Sequence, residues 1–230
     1  MQPIFATVGP LTAADANGIC EAQTPLAGPL TLDGVLVTTV TTGHTYGGTP
    51  ITVTSAILDQ PRRIVITTTD DETANNFTIT GFDRSGNPIS ETLAGVNTGT
   101  MTTALDFAVV TGVSIDGNAV DDVTVGTSAT ASSNWVRFDS WALNPVAIQL
   151  DVTGTVTYTV ETTLDDPNSA TNPVPVASVV WFNSTDANVV NANADKQSSF
   201  ANAPTFARVT ITAGDGTVTG TFVQYSAVPY

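Results

Sequence analysis

Apolar and hydroxyl-bearing residues alternate along most of this chain with a period of two, the spacing that sends successive side chains to opposite faces of a β-strand. In the run 51–57, Ile51, Val53 and Ile57 fall on one face and Thr52 and Thr54 on the other. Val35–Val40 precedes it across a turn-rich stretch, Thr42–Pro50. Arg62–Thr69, Phe77–Phe82 and Pro88–Leu93 read as a three-stranded meander, joined by the polar connections Asp70–Asn76 and Asp83–Asn87. Val109–Ile115 and Val120–Val125 flank Asp116-Gly-Asn118, which predicts a tight hairpin. Further on, Ala147–Val152 is expected to pair with Thr155–Thr163 across Thr153-Gly154. Phe206–Thr212 is expected to pair with Thr217–Tyr225 across Ala213–Gly216. No segment sustains a helical period. The expected fold is all-β.

Punctuation divides the chain. Residues 1–30 carry Pro3, Pro10, Pro25 and Pro29 and hold no period for long, so they read as an extended N-terminal arm that another surface must order. Residues 31–127 form the first β module. The small, polar stretch Gly126–Ser133 opens a linker placed at 128–140, and 141–230 form a second module. The expected architecture is thus two tandem β-sandwich or jelly-roll-like modules behind an arm. Gly154-Thr-Val-Thr-Tyr-Thr-Val160 and Gly216-Thr-Val-Thr-Gly-Thr-Phe222 nearly repeat one another. Either they mark an internal symmetry of one sandwich or they converge on the same Thr/Val alternation. The stretch Asp165–Ala203 reads as a long loop with one embedded strand, Val179–Phe182.

Composition narrows the function classes. Only 12 % of residues are charged, and threonine is the commonest residue, as in β-rich extracellular and virion proteins. The net charge is −15, with 13 acids and 3 bases in the first 130 residues and 8 acids and 3 bases in the rest. Such a surface repels nucleic-acid phosphates and anionic lipid. It suits a basic protein patch or a divalent cation, or serves solubility alone. No apolar run is long enough for a membrane-spanning helix. The first ten residues lack the basic and apolar regions of a secretory signal. If the protein ends up outside a cell, release by assembly or lysis rather than by classical secretion is the expected route.

Candidate chemistry is sparse. His44 is the only histidine and Cys20 the only cysteine, so no internal disulfide forms and each catalytic dyad would rest on one pairing. His44 reads as a solvated loop residue and Cys20 as a small buried one. No nucleophile elbow, phosphate-binding loop or zinc spacing is present, and no catalytic or cofactor-binding residue is assigned. The paired acids Asp70, Asp71, Asp165 and Asp166 lie in expected turns and are weak Ca²⁺ candidates. Trp135, Trp141 and Trp181 fit a core plug or inter-module seam, a protein interface, or a sugar-stacking platform. With Ile4 and Phe5 of the arm and Phe182, they are the interface candidates.

Three stretches carry a family resemblance. The first is Arg63-Ile-Val-Ile-Thr-Thr-Thr-Asp-Asp-Glu-Thr-Ala-Asn-Asn-Phe-Thr-Ile-Thr-Gly-Phe-Asp-Arg-Ser-Gly-Asn-Pro-Ile-Ser-Glu-Thr92, followed by Val110-Thr-Gly-Val-Ser-Ile-Asp116 and Val123-Thr-Val-Gly126. Together these resemble a module of structural proteins in tailed bacteriophages. The third, Ala203-Pro-Thr-Phe-Ala-Arg-Val-Thr-Ile-Thr212 with Phe222-Val-Gln224, resembles the close of a phage β-sandwich. The resemblance implies a non-enzymatic virion component without cofactor, most often one that decorates or cements the capsid. Its expected partners are the major capsid protein and copies of itself, as a dimer or trimer. The alternative it leaves open is a receptor- or glycan-binding module of a head fibre or tail.

Overall fold

β-Branched residues are stiff at χ1 and fit a pleated, half-buried surface, which is why a chain so rich in Thr, Val and Ile extends almost everywhere. The computed structural model describes residues 3–46, 48–139 and 145–224. Among these the structure is nearly all strand, with single 3₁₀ turns at Val176–Ser178 and Ala187–Val189. In chain order the strands are β1 (Ile4–Val8), β2 (Cys20–Gln23), β3 (Gly28–Pro29), β4 (Val37–Tyr46), β5 (Thr49–Asp71), β6 (Asn76–Phe82), β7 (Pro88–Ala94), β8 (Asn97–Thr102) and β9 (Phe107–Ile115). There follow β10 (Val123–Ser132), β11 (Val136–Arg137), β12 (Val146–Thr153), β13 (Val156–Thr163), β14 (Phe182–Asn183), β15 (Lys196–Phe200), β16 (Phe206–Gly214) and β17 (Thr217–Gln224).

These strands form two units that are nested rather than tandem. One, here the sandwich unit, takes in the chain up to Ala13 and from Ala129 onward; the other, the insert unit, is Ala14–Ser128. The expected arm is therefore divided between them. β1 pairs in register with β17, from Ile4 opposite Phe222 to Val8 opposite Val218, and Ala6 and Val8 are buried. β2 pairs with β10 and β3 with β9, with Ile19 and Cys20 fully buried. The prolines flank these short strands or end them, so they cut residues 1–30 into pieces without keeping each piece out of a sheet. Residues 128–132, read as linker, continue β10, whose Ala131 and Ser132 pair with Ile211 and Thr210.

In the sandwich unit one sheet has the order β1-β17-β12-β15, and the other joins β14, β13 and β16 with β11 and the end of β10. Their inner faces meet in a core of Val146, Ile148, Leu150, Val156, Tyr158, Val160, Val209, Ile211, Val218 and Phe222 among others. Burying each such side chain stabilises by about 1.5–3 kcal/mol. The two expected hairpins do not form. β12 pairs with β17 and β13 with β16, so each tight connection crosses from one sheet to the other. Alternation alone cannot tell the two apart, because a strand facing the core from either sheet shows the same pattern. The repeated sequence thus marks an internal symmetry, two crossing arches side by side. Their turns touch: the Asp215 and Gly216 amides both donate to the Thr155 carbonyl, at 3.1 and 3.0 Å.

In the insert unit the expected meander is also rearranged. β6 and β7 form a hairpin, but β9 lies between β5 and β6, and β8 pairs with β5. β9 and β10 are separated by β5. The residues that promised a hairpin between them hold a neighbouring turn instead. Asp116 accepts from the backbone and side-chain amides of Asn76, each at 2.7 Å, and the Asn118 carbonyl accepts from Asn75 Nδ2 at 3.1 Å. Asn75 Nδ2 also donates to the buried Glu72 carboxylate, which accepts the Val120 amide through its other oxygen at 2.7 Å. The runs 51–57 and 62–69 belong to one strand, β5, whose pairing with β9 shifts register between Ile57 and Arg62. Its buried Arg62 is held by Asp59 through two hydrogen bonds of 2.7 and 2.6 Å.

Candidate interaction surfaces

On the outer face of β16 in the sandwich unit, the side chains alternate inward and outward as strand geometry requires, and the outward set is Phe206, Arg208 and Thr210. Trp181, at the end of the stretch 164–181, reaches this face. Trp181 and Trp135 meet edge to face with centroids 5.0 Å apart, and Trp135 meets Phe206 the same way at 5.6 Å. The Arg208 guanidinium sits over the Trp181 ring at 4.3 Å, while its Nε donates to Glu161 at 2.7 Å. Glu161 Oε2 also accepts from the Thr210 hydroxyl at 2.7 Å. At the other end, Arg137 covers the Phe206 ring at 5.3 Å and forks onto Asp166 at 3.1 and 2.7 Å. Asp166–Arg137–Phe206–Trp135–Trp181–Arg208–Glu161 is therefore one continuous series, three aromatic rings closed at each end by an ion pair. It fastens the long loop to the sheet, which explains how so long a connection is ordered.

The interface candidates separate under this geometry. Trp135 and Trp181 are half-buried, with their rings engaged by one another, by Phe206 and by Arg208. Trp141 lies outside the described residues. Phe5, on the outer side of β1, and Phe182, on β14, stand in solvent at 60 % and 64 % exposure, and Ile4 is exposed too. The embedded strand expected at Val179–Phe182 is only Phe182–Asn183, while β15 at Lys196–Phe200 went unforeseen within the same stretch. Phe182 borders an open hollow of about 340 Å³ together with Leu164, Asp165, Asn202 and Pro204. Leu164, at 79 % exposure, belongs with the candidates although its sequence context gave no sign of it.

In the insert unit, β4 and the start of β5 form a hairpin registered from Val37 opposite Ala56 to Tyr46 opposite Thr49, with an irregularity between Thr41 and Thr45. The expected loop Thr42–Pro50 is mostly strand. Between Thr38 and Val53 every residue whose burial is described is exposed, on both faces of the ribbon. One face carries Val40, Ile51 and Val53, all exposed, and Ile57 continues it; the other carries Thr39, Thr41, Thr52 and Thr54. The signal in the sequence was an absence. Residues 34–58 contain no Asp, Glu, Lys or Arg, the longest uncharged run in the chain.

The candidate metal ligands are committed locally. Asp70 accepts from the Asp71 amide, and Asp71 accepts from the amide and hydroxyl of Thr73. These Thr73 hydrogen bonds, the hydroxyl's first, hold the Asp71 carboxyl below its ordinary range. Asp165 accepts from the Val180 amide at 2.8 Å. Burial pushes Asp166 up, but the Asn168 amide and Arg137 outweigh it and leave the group below its ordinary range. Among the described residues no group of three or more His, Cys, Asp or Glu side chains is placed to hold a metal ion. His44 is exposed near the end of β4. Cys20 is fully buried, and burial with the nearby charge of Asp33 pushes its thiol up to about 12. Among the described residues no helix is long and apolar enough to cross a membrane. No protein-family model matches this chain, and no curated protein is significantly similar to it.

Proposed function

We propose that this chain is a non-catalytic virion structural protein that decorates or cements a phage capsid, docking on the major capsid protein through the Leu164–Phe182 hollow of its sandwich unit. The observation that carries the reading is the placement of those two large apolar side chains, in solvent beside a concave site, in a unit that buries many of its other apolar residues in a common core. Isolated exposed apolar residues are ordinary, but a pair flanking a hollow supplies an anchoring pocket of the kind protein interfaces use. The resemblance of 63–126 and 203–224 to tailed-phage structural proteins supplies the class of partner. The engaged rings of Trp135 and Trp181 speak against the glycan-platform alternative, since a sugar needs an open aromatic face.

The test is co-sedimentation of the full chain with purified tailed-phage shells that lack it, across a range of concentrations. Wild type is expected to bind saturably and to raise the temperature at which the shells come apart. The double substitution Leu164→Ser with Phe182→Ser, both at exposed positions, should keep the circular dichroism of the wild type and weaken binding by about tenfold or more. Wild-type protein that stays in the supernatant would overturn the reading.

A further inference from the structure

The β4–β5 hairpin presents what a soluble protein normally guards. Among the described strands β4 pairs with β5 alone, so its other edge has no strand beside it. An unpaired edge of this length is usually blunted by lysine, proline or an inward charge. Thr38-Thr-Val-Thr-Thr42 contains none of these. A two-stranded ribbon with both faces in water is also only marginally stable by itself.

We infer that the free edge of β4 pairs antiparallel with β4 of a second copy of this chain, about a two-fold axis at Val40. Two observations select a second copy over another partner. First, the sequence is its own complement. Val37-Thr-Thr-Val40-Thr-Thr-Gly43 reads nearly the same in both directions, so an antiparallel register centred on Val40 sets Val40 opposite Val40 and Thr39 opposite Thr41 of the mate. A two-fold interface demands this reciprocity, and Thr–Thr and apolar cross-strand pairs are favourable ones. Second, the charge permits it. Two molecules each carrying −15 repel one another over most of their surfaces, and the uncharged run 34–58 is where that repulsion is least. A basic partner would instead be drawn to the acidic surfaces elsewhere and gain nothing here.

The pairing joins two ribbons into a four-stranded sheet, β5-β4-β4-β5. On one face, Val53 and Val40 of one copy continue into Val40 and Val53 of the other, turning two narrow apolar stripes into one. Shape and charge of this chain alone lead to it, so it holds whether or not the protein sits on a capsid.

Sedimentation equilibrium on the full chain tests it, with three variants. Val40→Lys sets two like charges opposite one another at the axis and should raise the dimer dissociation constant by about 100-fold or more while leaving the melting temperature of the diluted monomer unchanged. Val40→Cys should cross-link copies through residue 40 under mild oxidation. Val35→Cys, also on the surface, should not. The native thiol does not interfere, because Cys20 is buried. A wild-type chain that remains monomeric to about 100 µM overturns the inference. So does a dimer that Val40→Lys leaves intact, since it would then use another surface.

Discussion

The guanidinium of Arg208 lies over the indole of Trp181, 4.3 Å from the ring centroid, and its Nε donates to Glu161. Both charged side chains are nearly buried, 6 % and 14 % exposed. Removing one partner of such a pair is costly, because the other is left without compensation in a poorly solvated place. Arg208→Ala should therefore lower unfolding free energy by about 3 kcal/mol in urea titrations. Arg208→Lys keeps the charge but loses the planar guanidinium over Trp181 and the Nε donor to Glu161, so it should fall between. Because Arg208 also covers Trp181, the alanine variant should show greater acrylamide quenching of tryptophan emission than wild type. Equal stability of the wild-type and alanine proteins would show that the pair has no structural role.

A second expectation concerns acid. Asp116 accepts from the side-chain amide and the backbone amide of Asn76, which together hold its carboxyl below the ordinary range, and Asp186 is lowered by the Asn188 amide and the Ser198 hydroxyl. A carboxyl with a depressed pKa in the folded state takes up its proton later than the same group in the unfolded chain. As pH falls, the unfolded state binds more protons, so the stabilisation is present above the unfolded value near ~3.9 and is lost as pH drops through the folded pKa. The melting temperature should hold from pH 7 to about 5 and fall below about 4. Asp116→Asn should flatten that fall. A midpoint unchanged down to pH 3 would count against these hydrogen bonds.

Much of this molecule could be read from residues, and the failures have one physical source. Because period two is a local property, alternation located β6, β7, β9, β12, β13, β16 and β17, though only the first part of β4. Pairing is not local. Val156, Tyr158 and Val160 face the core equally well whether β13 folds back on β12 or crosses to the opposite sheet, and only the partner strand decides. The same holds for Asp116-Gly-Asn118: Asn76 takes up the Asp116 side chain and Asn75 Nδ2 the Asn118 carbonyl, some 40 residues earlier in the chain, while the Asn118 side chain accepts from the Ala27 amide. At the candidate surfaces, Phe5 and Phe182 were legible as large apolar residues in irregular sequence. Trp135 and Trp181 leave three roles open in the sequence, and only the folded chain brings Phe206 and Arg208 to their rings. Leu164 carried no local signal. The hairpin's role was written in missing charge, which a scan for motifs passes over.

The crossing arches make a sharp prediction about two glycines. Gly214 has φ +91°, and a Cβ there would come within 2.2 Å of the Thr155 carbonyl oxygen in the neighbouring turn. Gly86 shares the left-handed conformation, φ +80°, but a Cβ there would meet nothing within 4 Å. The backbone penalty of about 1–2 kcal/mol applies to both, whereas the clash applies to one. Gly214→Ala should thus destabilise by more than Gly86→Ala, with a difference of at least about 1 kcal/mol in denaturant midpoints converted at a common slope. Equal costs would mean that the two turns do not touch.

Cys20 offers the most direct check on the insert unit. It lies on β2 opposite Val125 of β10, with no exposed surface and its thiol pushed up to about 12 by burial and by Asp33. Only the thiolate attacks a disulfide reagent, so at pH 8 the native protein suffers twice: little thiolate and no access. Reaction with an aromatic disulfide reagent should then wait for opening of the β2–β10 pairing. Its rate should rise with urea in step with the loss of secondary structure, because the fully buried thiol is exposed only when its strand leaves β10. If β2 were instead a loosely held part of an arm, as residues 1–30 read in sequence, the thiol would react well below the unfolding transition. Separation of the two curves along the urea axis is the measurement, and coincidence is the expected result.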